Sequence, residues 1–277
     1  MDKKYLFLNI LKNSFKFFGQ NFANLIKTMF TPVFLQFLGF VISFAPSYYL
    51  TQVLKLQGSE LLSYMPLVLF SLFAGIIVLC AGVWKYILLM PLYCLACDDY
   101  DKNLGFNYEI YKNKVVNRKA RYVKTLLWTA LPGVIIFVSH FLINVFCLLR
   151  GTDIAKLAIL LFILIYIVIY VIYSVKISLV AQVFAFEPDK SPREVFEKSL
   201  NYMRGKNAFL AFGLMLALAV ITSVAFQILS YAWEFICDFF AAGEFLINSF
   251  DFVLSILTLF LLPLYIYTFT MLYKRIK

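Results

Sequence analysis

A chain of 277 residues that is 63% hydrophobic, 19% aromatic and only 14% charged departs from a soluble domain, in which about a quarter of residues carry charge. The surplus calls for an apolar solvent: at roughly 20 apolar residues per membrane helix, residues 1–277 form a single integral membrane domain of several spans and short loops. A formal charge of +10 raises nucleic acid as a partner, but in a membrane protein a basic balance records orientation and contact with anionic lipid. The expected partners are therefore membrane lipids, with a membrane protein as a further candidate and no nucleic acid.

The first segment has the look of a signal peptide, but Lys12 and Lys16 interrupt its apolar stretch and no small-residue cleavage site follows, so an uncleaved start is expected. Leu8, Leu11, Phe15, Phe18, Phe22, Leu25 and Met29 recur at steps of three and four, with Lys12, Asn13, Lys16, Gln20, Asn24 and Lys27 between them. This spacing predicts an amphipathic helix over 3–27 with a basic polar face, lying in the headgroup plane.

Charge-free intervals then mark spans at 28–54, 125–149, 207–233 and 252–273, and two longer apolar stretches, 61–97 and 157–186, each contain one lysine, Lys85 and Lys176. Allowing for a hydrocarbon core of about 30 Å, six transmembrane helices are expected at about 29–51, 64–86, 126–148, 157–177, 208–233 and 252–273. Of the 25 lysines and arginines, 20 lie before the first span, in 98–124, in 187–206 or in the tail 274–277, while the loop 234–251 has four acids and no basic residue. Basic residues are retained on the cytoplasmic side, so both termini are expected in the cytosol.

Two further cytosolic segments read as amphipathic helices. Residues 108–124 carry Tyr111, Val115 and Tyr122 on an otherwise basic helix, and Ser191, Pro192 and Glu194 form a capping-box start followed by Val195, Phe196, Leu200 and Met203. The expected fold is therefore all-α, six transmembrane helices as three hairpins, each preceded by a cytosolic amphipathic helix. Local matches support a repeat: Lys12-Asn13-Ser14-Phe15 with Gly19 and Asn21 against Glu197-Lys198-Ser199-Leu200 with Gly205 and Asn207, and an aspartate thirteen residues after each span lysine, Asp98 and Asp189.

A charge inside an apolar run is a functional hypothesis by default. Lys85 and Lys176 both fall near the cytosolic boundary, where they either snorkel as anchors or, with Lys198 and Arg204, bind an anionic headgroup. The sole histidine, His140, lies mid-span with Asn144 one turn on; interhelical hydrogen bonding is the expected role, as for Gln36, Gln182 and Gln227, although together these could line a polar cavity. Cys94 and Cys97 make one CxxC without a second ligand pair or a thioredoxin-like context, and Cys147 and Cys237 both fall near the outer face. Gly75 with Gly82, and Gly213 with Ala217, suit close helix approach, and Pro132 and Pro263 should kink their spans. No nucleotide loop, metalloprotease or nucleophile-elbow motif is present, so no catalytic residue, metal or cofactor is expected and an enzyme is not.

The stretch 186–217, FEPDKSPREVFEKSLNYMRGKNAFLAFGLMLA, with Glu187, Ser191, Lys198-Ser199 and Arg204-Gly205, resembles a pattern in a broad group of bacterial six-span membrane proteins. That group includes the membrane domain of some glycerophosphoryl diester phosphodiesterases. The resemblance implies a bacterial cytoplasmic (inner) membrane; it does not carry the phosphodiesterase chemistry, whose catalytic barrel and histidines have no counterpart in these residues. Two functions follow as expectations: a non-catalytic protein that engages anionic lipids or organises a membrane complex through a basic inner collar, or a small-molecule transporter or permease subunit.

Overall fold

In the computed structural model the described residues are all but 1–2, 57, 151–152, 240–249 and 251–252, and among them there is no strand. The protein is an all-α, multi-pass membrane protein with six helices long and apolar enough to cross a bilayer: Tyr5–Thr51, Met65–Asp101, Lys119–Val145, Ile159–Phe186, Lys206–Cys237 and Val253–Ile276. Their outward faces carry large apolar side chains such as Leu127, Leu131, Ile135, Leu164, Val168 and Ile172, all more than half exposed. In water a surface of this extent would drive association; in hydrocarbon it is the matching solvent face.

The elements, in order, are α1 (Lys3–Tyr48), a π-helical turn (Tyr49–Val53), α2 (Ser59–Ser63), α3 (Met65–Asp101), α4 (Glu109–Val116), α5 (Lys119–Arg150), α6 (Asp153–Ile177), α7 (Val180–Phe186), α8 (Pro192–Tyr202), α9 (Lys206–Phe239), a 3₁₀ turn (Thr258–Leu261) and α10 (Leu262–Ile276). The chain forms two compact units, the first of residues 1–13, 91–219 and 266–277 and the second of 14–90 and 220–265.

The first helix differs from expectation. The amphipathic segment 3–27 and the span after it form one unbroken helix of 46 residues, ~70 Å at 1.5 Å per residue. Gly19 alone costs a helix only ~1 kcal/mol, and no proline precedes Pro32 to stop it. The predicted apolar stripe is also split. Leu11, Leu25 and Met29 are buried together with Ile10, Ser14 and Phe17, whereas Leu8, Phe15 and Phe22 are exposed.

Residues 108–124 likewise do not make one helix: α4 ends at Val116 and α5 starts at Lys119. At Ser191 the capping box is present in full. The Glu194 amide donates to Ser191 Oγ at 3.3 Å and the Ser191 amide to Glu194 Oε2 at 2.7 Å, and Val195 and Met203 are buried.

Beyond the span lysines the two matching stretches diverge. α3 runs unbroken past Lys85 to Asp101, while α6 ends at Ile177 and a turn leads into α7. The other local match diverges too: Gly19 sits inside α1, but Gly205 adopts φ +54° in the turn between α8 and α9, a conformation that glycine takes without the steric cost a Cβ would impose.

Within the second unit α1 and α3 meet at small residues. A Cβ on Gly39 would come 2.7 Å from the Gly75 carbonyl oxygen, one on Gly75 2.6 Å from the Ser43 amide, and one on Gly82 2.7 Å from the Gln36 amide. The expected role of Gly75 and Gly82 holds: on α1 Gly75 faces Gly39 and Ser43, and Gly82 faces Pro32 and Gln36. At Gly213, by contrast, the nearest atom is Phe7 Cε2 at 3.4 Å, an ordinary contact within the first unit.

At Pro263 the helix geometry changes. Lacking an N–H, the proline cannot bond the Leu259 carbonyl one turn back; the helix tightens to 3₁₀ there, and that carbonyl accepts from the Leu262 amide and from the Tyr86 hydroxyl of α3 at 3.0 Å. Tyr86→Phe should therefore lower stability by about 1 kcal/mol, the middle of the range for hydrogen bonds between membrane helices. Unfolding of the purified protein in mixed micelles reads this, and an unchanged midpoint would dismiss the hydroxyl as a fastening for the proline turn.

In the first unit α5 and α6 pack antiparallel. Tyr173 donates to the Thr129 carbonyl, Tyr170 to the Gly133 carbonyl at 3.4 Å, and the Tyr166 and Ser139 hydroxyls lie 3.0 Å apart. These contacts step in opposite directions along the two helices, which brings Lys176 to about the level of Lys124–Leu127.

Candidate functional site

Two polar clusters join charged segments of the first unit. At the end of α3 three aspartates fall within four residues. Asp98 accepts from Lys102 at 2.6 Å and pairs with Lys274 of α10 at 2.8 Å; Asp101 pairs with the same lysine at 2.7 Å. Between them Asp99 accepts a hydrogen bond from Tyr111 of α4. Burial and that bond push the Tyr111 hydroxyl up to about 12, so it stays a donor.

The second cluster centres on Glu187, whose side chain is 8% exposed. One carboxylate oxygen accepts from the Tyr202 and Tyr273 hydroxyls at 3.0 Å each, with Lys277 at 3.9 Å, and the other accepts from Lys198. Burial raises the carboxyl pKa, but the bonds from Lys198, Tyr273 and Tyr202 and the charge of Lys198 outweigh it, so Glu187 ionises below the usual carboxylate range. This hub ties the end of α7 to α8 and α10. Ser199 adds a bond to the Lys176 carbonyl at 2.9 Å, fastening α8 to the end of α6.

The predicted site residues fall in several places. Lys198 is committed to Glu187, and Lys176 is half-buried in the first unit at the end of α6. Lys85 is exposed on α3 in the second unit. Arg204 is exposed before the Gly205 turn and forms no ion pair among the described residues.

His140 and Asn144 do pair, with Asn144 Nδ2 2.9 Å from His140 Nε2, and the imidazole meets the Tyr166 ring of α6 edge-on at 4.5 Å. Gln36 bonds its own helix at the Pro32 carbonyl, Gln182 is 2% exposed in α7, and Gln227 is exposed on α9. His140 and Gln182 belong to the first unit, Gln36 and Gln227 to the second. Cys94, Cys97 and Cys237 are buried free thiols; the side chain of Cys147 lies outside the described residues. No group of three His, Cys, Asp or Glu side chains converges on a metal position among the described residues.

What the basic layer overlooks is a pair of apolar grooves, both in the first unit. One, about 280 Å³, lies between α6 and α9 and is lined by Val171, Ile172, Val175, Ala208 and Phe212 with Lys176 among them. The other, about 410 Å³, runs along α5 past Leu127, Trp128, Leu131 and Val134, with Lys124 and Pro192 at its end. Arg193 stands over the Trp128 ring at 6.0 Å, within cation–π reach.

Each groove thus combines an apolar length with a cation at the charged end. Lys124 was not singled out by sequence because it closes a basic loop and looks like an ordinary flanking charge; only the antiparallel register puts it level with Lys176.

No family model, no characterised protein and no solved structure matches the chain.

Proposed function

We propose that this multi-pass protein resides in a bacterial cytoplasmic membrane with both termini in the cytosol, carries out no catalysis, and uses its basic inner end to hold anionic lipids, organising the membrane or a partner complex around them. The group of bacterial six-span proteins that the 186–217 stretch resembles is its proposed kin. The observation that carries this reading is the pair of apolar grooves in which Lys124 and Lys176 sit at one level. An acyl chain fits the apolar length of such a groove, and a negative headgroup is attracted by the cation at its end, each basic residue near the surface contributing about 1 kcal/mol. The clusters around Glu187 and Asp98 hold the surrounding layer in register and so preorganise the lysines.

The test is lipid exchange on the full chain in nanodiscs of mixed phosphatidylglycerol and phosphatidylcholine. The parent should enrich phosphatidylglycerol in its annulus, and Lys124→Ala with Lys176→Ala should cut that preference by about tenfold. Undiminished preference in the double variant, or solute flux through proteoliposomes with no lipid preference in the parent, would overturn the proposal.

A further inference from the structure

A third cleft in the first unit differs from the two grooves in chemistry. It measures about 310 Å³ and lies between α4 and the end of α7, with Tyr111, Lys114 and Arg118 on one side and Phe184, Phe186 and Pro188 on the other. Lys114 and Arg118 form no ion pair with a carboxylate among the described residues. Behind Phe184 and Pro188 lies a third cation. Arg121 lays its guanidinium over the Phe184 ring at 4.8 Å and donates from Nη1 to the Pro188 carbonyl, yet its Nε and Nη2 are buried with no hydrogen-bond partner.

A guanidinium carries five N–H donors and stays charged, and burying charged donors unsatisfied is costly. The nearby acids do not supply the missing acceptor. Asp99 is bonded to Tyr111, and Asp189 attracts Arg121 while Arg118 repels it, with no ion pair between Arg121 and a carboxylate among the described residues. Two cations, Lys114 and Arg118, therefore line the cleft without a carboxylate partner among the described residues, and Arg121 stands behind its Phe184 and Pro188 wall. A basic cleft of this kind suits a compact anion with several acceptor oxygens, and arginine matches phosphate in particular through its planar fork of donors.

We infer that this cleft binds a phosphate group, with Lys114 and Arg118 making the contacts and Arg121 supplying the field behind them. The inference rests on the reading of the basic end as an anion-engaging surface and gives it a headgroup chemistry. Both a phospholipid headgroup and free phosphate carry the required group, and the apolar floor made by Phe184, Phe186, Leu95 and Val115 can also receive the glycerol end of a lipid.

The full chain in phosphatidylcholine nanodiscs would be titrated with phosphatidylglycerol, read by native mass spectrometry, and separately with inorganic phosphate, read by calorimetry. Lys114→Gln with Arg118→Gln should weaken at least one of these probes by about tenfold or more, since charge-assisted hydrogen bonds are the strong ones. The charge-retaining pair Lys114→Arg with Arg118→Lys should restore most of the loss, separating charge from folding.

Loss confined to phosphatidylglycerol assigns the cleft to a lipid headgroup, and loss of inorganic phosphate assigns it to a free phosphate; either supports the inference. Parent-like binding of both probes by the glutamine pair overturns it while leaving the lipid reading of the grooves intact. Phosphate binding that depends on Lys114 and Arg118 in a parent with no lipid preference would do the reverse, and a parent that binds neither probe refutes both.

Discussion

Gly75→Val should be among the most damaging single substitutions in the spans, lowering stability by ~3 kcal/mol. The Cβ it adds would lie 2.5 Å from the Gly39 carbonyl oxygen and 2.6 Å from the Ser43 amide. Both are backbone atoms, which cannot rotate aside as a side chain can, so α1 and α3 must separate. Overpacking a close contact usually costs 1–3 kcal/mol and occasionally more. In lipid there is no hydrophobic drive to bring the helices back together, because their contact depends on van der Waals packing. Gly19→Ala is the matched control: nothing lies within 4 Å of its added methyl group, and replacing a helical glycine should raise stability by up to ~1 kcal/mol. Unfolding in mixed micelles compares the two. A Gly75→Val protein as stable as its parent would mean that α1 and α3 do not meet at this seam.

Glu187→Ala comes next, at about 3 kcal/mol. The substitution leaves the Tyr202 and Tyr273 hydroxyls without their shared acceptor and removes the counter-charge of Lys198. Losing one partner of a buried charged cluster costs up to 3–5 kcal/mol, and the lower end applies because the lysines keep access to water. An exposed pair makes the contrast: Glu197→Ala, which frees Arg193 on the surface of α8, should change stability by less than about 0.5 kcal/mol.

The hub also sets a pH dependence. Because the folded state depresses the Glu187 pKa, its contribution is complete above the unfolded-state value of about 4.3, declines as the pH falls below that, and is lost once the pH passes the folded value. Glu187→Gln keeps an acceptor for the tyrosines but not the charge, so its stability deficit relative to the parent should shrink on acidification from about pH 7 to about pH 3. A deficit that stayed constant would show that the charge of Glu187 contributes nothing.

Long-range pairing accounts for what the sequence did not disclose. The aspartates at the end of α3 lie far along the chain from Lys274, and Glu187 from Tyr273; hydropathy has no means of matching them. A hint was present in the density of acid at 98–101, three of four residues in a chain poor in charge. Lys85 and Lys176 stood out by interrupting apolar runs, yet Lys124, which shares a level with Lys176, did not. Along α1 periodicity alone cannot say which apolar side chains meet lipid and which meet protein. Phe15 and Phe17 have the same ring, and one is exposed while the other is fully buried.

Composition and the charge-free intervals by themselves determined six apolar helices, since an uninterrupted apolar run has a single favourable solvent, and local chemistry determined the α8 capping box and the Pro263 disruption, because each depends on residues within one turn. Only the tertiary structure decided which small residues face one another, which acids hold which lysines, and where cations are left without counter-charge beside a cleft. Those are properties of distance between remote segments, and they arise when the helices pack.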